Sequence, residues 1–355
     1  MIIDDSVIFR SQLKNCIHGH EGITVVATAA NGKIGLEKLE QVTCDLIILD
    51  LEMPEMNGLE FVAEFNKKRF KQPIIIFAAN SPSSATQLIE CLNAGASDFV
   101  AKPHSAPSFE DAMEGIQREL LPKILQFKQN IKNEKIKSDD YIRPEVGPEI
   151  PPNFGAKVNL TNFKPRIVVI GSSTGGPTAL DKIFTRLHGH TPRIPILIAQ
   201  HMPADFTAAL ASRLSVVSGI PAAEGRSGET IVPGRIYVAP GDYHMSLQRI
   251  GGTSTTIVKI DQEPKRNSVR PAVDFLFESA AKLFGATTAG FILTGMGMDG
   301  RDGAVAIKKA SGAMMIQSRE SSVVWGMPGS VHSVGAYDAE GDLEECAKTL
   351  LRMIS

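Results

Sequence analysis

The sequence contains little of what would indicate a membrane protein, a disulfide-stabilised fold or a nucleic-acid-binding surface. Its 355 residues include four cysteines, which are widely separated and form no C-x-x-C pair, so we expect buried, reduced thiols rather than disulfides or a zinc site. No apolar run reaches the about 18 residues of a membrane span, and no basic segment followed by an apolar one forms a secretory signal. Basic and acidic residues nearly balance, at 37 and 39, which argues against a basic nucleic-acid-binding stripe. We therefore expect a cytoplasmic protein with no nucleic-acid partner and no direct membrane insertion.

The chain is long enough for two domains, and its pattern changes twice along its length. Residues 1–124 alternate short apolar runs with helical periodicity, which is typical of an α/β domain with a parallel sheet. Residues 125–164 are polar and proline-containing, so we expect a semi-extended linker. Residues 165–355 begin a second α/β series, predicted to form a doubly wound parallel sheet. The predicted strands are residues 1–3, 24–27, 46–49, 74–77, 98–100, 167–170, 194–199, 236–238, 288–293 and 314–316, with a helix at 108–126 closing the first domain.

Charged side chains follow three strands of the first domain. Asp4 and Asp5 come directly after the first strand, Asp50 ends the third, and Lys102 follows the fifth. The carboxyl ends of neighbouring parallel strands open into one crevice, so these groups should converge. Carboxylate oxygens suit Mg²⁺, and a carboxylate there can accept a phosphoryl group. Each acid taken alone also fits an ordinary solvated strand end.

The pattern of these residues resembles the response-regulator receiver domain, which has a flavodoxin-like fold. The resemblance implies that Asp50 accepts the phosphoryl group and that Lys102 contacts it. It also implies that Asp4 and Asp5 hold Mg²⁺ with Asp50 and the backbone carbonyl of Glu52. The remaining matching segments are Met53-Pro54, Gly58 and residues 95–103.

Two features depart from the receiver pattern. The chain starts about four residues later than receiver domains usually do, so the first strand looks clipped, as a misassigned start codon would produce. Ala78 stands at the end of the fourth strand, where receivers usually carry Ser or Thr, although Ser81, Ser83 and Ser84 lie close by. We expect phosphorylation to persist and its coupling to conformational change to be affected.

The second domain carries a candidate nucleophile at Ser173. It lies in Gly171-Ser172-Ser173-Thr174-Gly175, which fits the G-x-S-x-G pattern directly after a predicted buried strand. Such a corner exposes a serine hydroxyl at the carboxyl edge of the sheet. A glycine-rich turn that only connects strand to helix would give the same pattern, so the motif alone leaves both readings open.

A base and an orienting acid are available at neighbouring strand ends. His201 follows the strand at 194–199, and Asp299 lies in the glycine-rich loop after the strand at 288–293. This convergence predicts a Ser-His-Asp triad, with the Thr174 and Met296 N–H groups as oxyanion donors. His244 and His332 are rival bases.

Several segments of the second domain resemble the catalytic domain of the chemotaxis protein-glutamate methylesterases, the CheB family. The resemblance implies that Ser173, His201 and Asp299 hydrolyse glutamate γ-methyl esters on methyl-accepting chemoreceptor proteins during adaptation, and that glutamine deamidation accompanies this activity. It also implies a chemotaxis histidine kinase as phosphodonor, a receiver that restrains the esterase until it is phosphorylated, and no cofactor in the esterase domain. The matching segments are residues 171–177, 200–203, 239–242, 244–245, 270–271, 273–274, 293–300 and 326–328.

Two other functions remain as alternatives. An ordinary α/β-hydrolase orders its triad Ser, Asp, His, which here would select His332 as the base. A non-enzymatic response regulator would carry a DNA- or protein-binding output domain, but the second α/β series is much larger than a helix-turn-helix module. A dinucleotide site is excluded because residues 171–176 lack the G-x-G-x-x-G spacing.

Overall fold

The chain divides into two compact units, Met1–Glu145 and Val146–Ser355. The computed structural model describes residues 1–17, 19–20, 22–103, 108–135, 154 and 157–355. Most of the predicted linker, residues 136–153 and 155–156, lies outside the described residues.

The first unit is a five-stranded parallel sheet with strand order β2-β1-β3-β4-β5. This is the flavodoxin-like order, which confirms the predicted fold class. Strands β3 and β4 are buried along their whole length, as expected for central strands covered by helices on both faces. The elements are β1 (Ile2–Ile3), α1 (Val7–Ile17), β2 (Thr28–Ala29), α2 (Gly32–Leu39), β3 (Ile47–Asp50), α3 (Gly58–Lys67), β4 (Ile74–Ala78), α4 (Pro82–Ala94), β5 (Asp98–Ala101) and α5 (Phe109–Lys135).

Two predicted boundaries in this unit differ from the structure. The strand predicted at 24–27 is wrong, because β2 pairs only with the two residues of β1 and therefore occupies Thr28–Ala29. The helix predicted to end at residue 126 continues to Lys135 as α5, into the segment predicted as linker. Residues 125–135 are rich in Lys, Gln and Glu, which favour helix, and Phe127 is buried.

The second unit is built on a seven-stranded parallel sheet with strand order β14-β13-β12-β6-β7-β9-β8. After β6 the chain adds β7, β8 and β9 on one side of β6, and it later adds β12, β13 and β14 on the other side. The strand order therefore reverses at β6. In open α/β sheets such a switch point is where ligands bind. The elements are β6 (Ile167–Ser172), α6 (Gly176–Thr185), β7 (Ile196–Gln200), α7 (Phe206–Ser218), β8 (Ala222–Glu224), β9 (Ile236–Val238), β10 (His244–Arg249), β11 (Thr256–Asp261), α8 (Val273–Phe284), β12 (Thr288–Ile292), α9 (Arg301–Lys309), β13 (Ala313–Gln317), α10 (Gly326–Ser333), β14 (Ala339–Gly341) and α11 (Leu343–Ile354), with a 3₁₀ turn at Gly285–Thr287.

The sequence analysis missed strands β8 and β14 and the antiparallel hairpin β10–β11. The hairpin had a recognisable signal, since Gly251-Gly252 stands between two segments of alternating polarity. Met245, Leu247 and Val258 from this hairpin are buried in the core of the unit.

All four cysteines are free and buried, as predicted. Across the described ranges, we find no helix with the length and apolarity needed to cross a bilayer.

Candidate active site

Ser173 occupies the turn between β6 and α6, at the switch point of the sheet. The backbone N–H of Ser173 donates to the Thr294 carbonyl at 3.0 Å, which ties the turn to the loop after β12. Gly175 closes the turn with φ of 75°, in the left-handed region where glycine carries no steric penalty. The predicted serine corner is therefore present, and Ser173 is only partly buried.

Gln200, the last residue of β7, supports this corner from inside. The Ser172 hydroxyl donates to Gln200 Oε1 at 2.6 Å, and Gln200 Nε2 donates to the Ser173 carbonyl at 2.9 Å. A side chain at Gly176 would overlap with the Gln200 amide. This positioning role was not predicted, although a buried amide directly before His201 is a signal that could have revealed it.

His201 and Asp299 form the central contact of the site. His201 Nε2 lies 2.7 Å from Asp299 Oδ2, with side chains 10% and 2% exposed. Burial by itself would raise the pKa of Asp299. The bond to His201 and the backbone N–H groups of Val273 and Asp274 outweigh burial and hold this pKa below its usual range. Asp299 is therefore an ionised acceptor at neutral pH.

The ionised carboxylate determines which imidazole nitrogen carries the proton. An ionised carboxylate only accepts hydrogen bonds, so His201 Nε2 carries the hydrogen and Nδ1 is left as the basic nitrogen. The backbone N–H of His201 donates to the Ser172 carbonyl at 3.1 Å, which places the histidine beside the serine corner. Among the described residues, no hydrogen bond joins the Ser173 hydroxyl to His201; in unliganded enzymes this bond is often long.

The loop after β12 is held close to the serine corner. Thr294 Oγ1 donates to the Thr174 carbonyl at 2.9 Å. A Cβ atom at Gly295 would lie 2.8 Å from Ser173 Cβ. Thr174 is buried and Met296 is half-buried, so both predicted oxyanion residues lie in the two segments that form this corner.

The rival histidines make other contacts. His244 is buried, accepts a hydrogen bond from the Ala272 N–H and lies 3.2 Å from the Pro264 carbonyl. His332 is 44% exposed on its side chain and packs against Trp325 and Tyr337. Asp299 therefore faces His201 rather than either rival.

A second site lies at the carboxyl edge of the first unit's sheet. Lys102 Nζ is 2.7 Å from Asp50 Oδ2 and 3.2 Å from Asp4 Oδ2. Burial raises the pKa of Asp50 to about 6 against the opposing effect of Lys102, and burial likewise raises the pKa of Asp4. The predicted convergence of these three groups is present.

The donors at this edge fit a divalent cation. Carboxylate oxygens of Asp4, Asp5 and Asp50 lie within 4.8 Å of one another. The buried Asp4 Oδ2 accepts no hydrogen bond from the described residues beyond its ion pair with Lys102. A cavity of about 230 Å³ opens at this edge, and Asp5, Asp50, Glu52 and Lys102 are among its lining residues.

The end of β4 is apolar and fully buried at Ala78. A hydroxyl contact beside the acidic site comes from α4, where Ser84 Oγ donates to Glu52 Oε1 at 2.9 Å. Ser81 caps the N-terminus of α4, and its hydroxyl oxygen lies 2.8 Å from the hydroxyl oxygen of Ser84.

Together, the fold and the sites define a class of two-unit α/β protein, in which a receiver-type sheet with an acidic pocket precedes a doubly wound sheet with a His–Asp pair beside a serine corner. Family models agree with both units. The response regulator receiver domain matches residues 1–114, and CheB methylesterase matches residues 168–350. The chain belongs to the CheB methylesterase family and carries an N-terminal receiver domain.

Relatives match over the full length of the chain. It is 39% identical over 356 residues to the protein-glutamate methylesterase/protein-glutamine glutaminase of Trichodesmium erythraeum, covering 100% of this chain and 98% of that protein. It is 37% identical over 345 residues to protein-glutamate methylesterase/protein-glutamine glutaminase 2 of Caulobacter vibrioides, covering 97% and 95%. The crystal structure of the Thermotoga maritima CheB methylesterase catalytic domain is 41% identical, with a TM-score of 0.51, and covers 54% of this chain and 100% of that one.

Proposed function

We propose that this chain is a phosphorylation-activated protein-glutamate methylesterase that acts in the cytoplasm on methyl-accepting chemoreceptors. Family membership and the names of its full-length relatives support the reaction class. The observation that carries the proposal is the 2.7 Å contact between His201 and an ionised Asp299, beside the Ser173 corner.

The reaction would follow the acyl-enzyme route of serine hydrolases. Ser173 Oγ attacks the ester carbonyl while His201 Nδ1 takes its proton. The tetrahedral intermediate collapses, and His201 returns the proton to the departing methoxide, which leaves as methanol. Water, deprotonated by the same nitrogen, then attacks the acyl-enzyme. The bond to Ser173 Oγ breaks, this oxygen takes the proton back from His201, and the glutamate carboxylate is released.

The Thr174 and Met296 N–H groups are the proposed donors to the oxyanion that forms in each step. Thr174 lies one residue before the N-cap of α6, so the positive end of the helix dipole adds to the stabilisation. The same machinery acting on a glutamine side chain would release ammonia in place of methanol. Glutamine deamidation is therefore the proposed second activity of the same site.

The proposed substrate surface is an open face rather than a deep cavity, because the ester lies on a protein helix. Met298 is 44% exposed and Met296 is half-buried, which fits this role. Met202 and Phe206 also lie near this edge in sequence, but they are 4% and 0% exposed and belong to the interior.

In the first unit, Asp50 is the proposed phosphoacceptor. An oxygen of its carboxylate bonds to phosphorus as the bond from phosphorus to the donor group breaks, and Lys102 pairs with a phosphoryl oxygen. Asp4, Asp5, Asp50 and the Glu52 carbonyl would hold Mg²⁺, which offsets the negative charge of the phosphoryl group. A chemotaxis histidine kinase is the proposed donor, and residues 1–124, 125–164 and 165–355 remain the proposed receiver, linker and catalytic domain.

The test is methanol release from methylated chemoreceptor membranes, with and without acetyl phosphate and Mg²⁺. We expect Ser173→Ala and His201→Ala to abolish release, and His332→Ala, the matched histidine control, to retain it. Acetyl phosphate should raise the rate of wild type but not of Asp50→Asn. Loss of release in His332→Ala but not in His201→Ala would support an ordinary α/β-hydrolase, and no release from wild type would contradict the proposal.

A further inference from the structure

Two buried carboxylates face each other behind His201. Asp299 Oδ2 accepts from the Val273 N–H at 2.5 Å and Asp299 Oδ1 from the Asp274 N–H at 3.2 Å, both in the first turn of α8. Asp274 Oδ1 accepts from the N–H groups of Gly300 at 3.0 Å and Gly303 at 2.8 Å, at the start of α9. Asp299 therefore lies at the N-terminus of α8, the helix that carries Asp274. Asp274 lies at the N-terminus of α9, the helix that follows Asp299. Free N–H groups at a helix N-terminus favour an anion.

A single amide joins the two carboxylates. Asn267 Nδ2 lies 3.0 Å from Asp274 Oδ2 and 3.2 Å from Asp299 Oδ1, and can donate to both. Arg266 Nε lies 3.3 Å from Asp274 Oδ2. The charged groups that face Asp274 are Arg266 and Asp299, with Asp302 and Glu278 on the far side of Arg266.

The packing between α8 and α9 leaves little freedom for this arrangement. A Cβ atom at Gly303 would lie 2.5 Å from Phe277 Cβ and 3.3 Å from Asp274 Cα. The backbone just after Asp299 is therefore held by the Asp274 carboxylate on one side and by close helix contact on the other. Asp274 is fully buried, and sequence analysis assigned it no role.

We propose that Asp274 is a positioning residue for the triad acid, holding the start of α9 so that Asp299 is aimed at His201. The inference rests on the proposed function. Burial, reinforced by the Asp299 charge, raises the pKa of Asp274 to about 7. An asparagine at this position would match the uncharged form of the carboxyl group.

The test compares three variants of the full chain in the methanol-release assay. Asp274→Ala should lower kcat by at least about 10-fold with KM within about twofold, because misplaced catalytic groups slow the chemical step. Asp274→Asn keeps an acceptor oxygen for Gly300 and Gly303, but its amide NH2 would face the donors of Asn267 and Arg266. It should therefore recover part of the lost kcat. Asp302→Asn, a change at a half-exposed carboxylate in the first turn of α9, should match wild type.

Unfolding of each variant is monitored by the fluorescence of Trp325, the single tryptophan. This measurement distinguishes a loss of activity caused by misplaced catalytic groups from one caused by a loss of folded protein. A folded Asp274→Ala with wild-type kcat would overturn the inference, and so would activity that falls only with the folded fraction. An Asp274→Asn variant as slow as Asp274→Ala would show that an acceptor oxygen for Gly300 and Gly303 is not what positions Asp299. Wild-type activity in Ser173→Ala, assayed alongside, would instead contradict the proposed function.

Discussion

Replacing Gly295 with alanine should separate catalysis from folding at the serine corner. The added Cβ would lie 2.8 Å from Ser173 Cβ and 3.0 Å from Ser173 N, with Met327 Sδ on its other side. Normal contacts of this kind exceed about 3.4 Å, so the corner must move by roughly 0.5 to 1 Å. Since Ser173 N is also tied to the Thr294 carbonyl, the serine itself is displaced. A 1 Å misplacement can cost about 10²-fold in rate, and overpacking about 1–3 kcal/mol in stability.

The assay is kcat and KM for methanol release, together with urea unfolding followed by Trp325 fluorescence. Trp325 reports directly on this region, because it pairs with Gly295 through an isolated β-bridge. Gly251→Ala is the matched control, since a Cβ atom at that exposed turn meets nothing within 4 Å. We expect kcat of Gly295→Ala to fall about 10²-fold and that of Gly251→Ala to stay unchanged. A folded Gly295→Ala with kcat within twofold of wild type would refute the steric argument.

Three further predictions concern buried polar groups. Folding raises the pKa of Asp50 from 3.8 to about 6, so its contribution to stability is present below pH 4 and is lost as pH rises through 6. This loss corresponds to about 3 kcal/mol, and calorimetry of the full chain without Mg²⁺ should show Asp50→Asn stabilised at pH 7.5 by about 1–3 kcal/mol. A destabilised variant would contradict this expectation. Ser84→Ala removes the hydroxyl bonded to Glu52 and should reduce activation by acetyl phosphate without changing the basal rate; unchanged activation would show that this contact does not couple the sites. Asp338→Ala leaves Lys308 as an unpaired buried charge and should cost about 3–5 kcal/mol in urea unfolding, whereas a loss under 1 kcal/mol would argue against that ion pair.

The parts of the catalytic site that follow strand ends could be predicted from the sequence. Ser173, His201 and Asp299 each come directly after a buried strand or in the loop beyond it, and the convergence of parallel strands brings them to one edge. Asn267 and Asp274 could not be placed in this way. Asn267 lies in an irregular loop with a left-handed backbone, at φ of 52°, and no periodicity in the sequence indicates where such a loop leads.

The first unit shows the same division. The meeting of Asp4, Asp50 and Lys102 follows from strand order alone, and the structure confirms their contact. The bond between Ser84 and Glu52 depends on how the loop after β4 turns into α4, which a strand pattern does not specify. The length of α5 was missed because charged residues that favour a helix also occur in linkers.

The two sites use buried carboxylates in opposite ways, and the hydrogen-bond donors around each explain the difference. Asp299 faces His201 and backbone N–H groups, which together outweigh its burial and keep it ionised. Asp50 accepts one backbone N–H, from Leu51, and faces Lys102, and these leave burial dominant. A carboxylate that is already satisfied can orient a histidine throughout a catalytic cycle without changing charge. A carboxylate short of donors gains from a cation or from a transferred group, so its chemical state can change with conditions. The shortage of donors at Asp50 thus fits its proposed regulatory role, and the surplus of donors at Asp299 fits its proposed catalytic role.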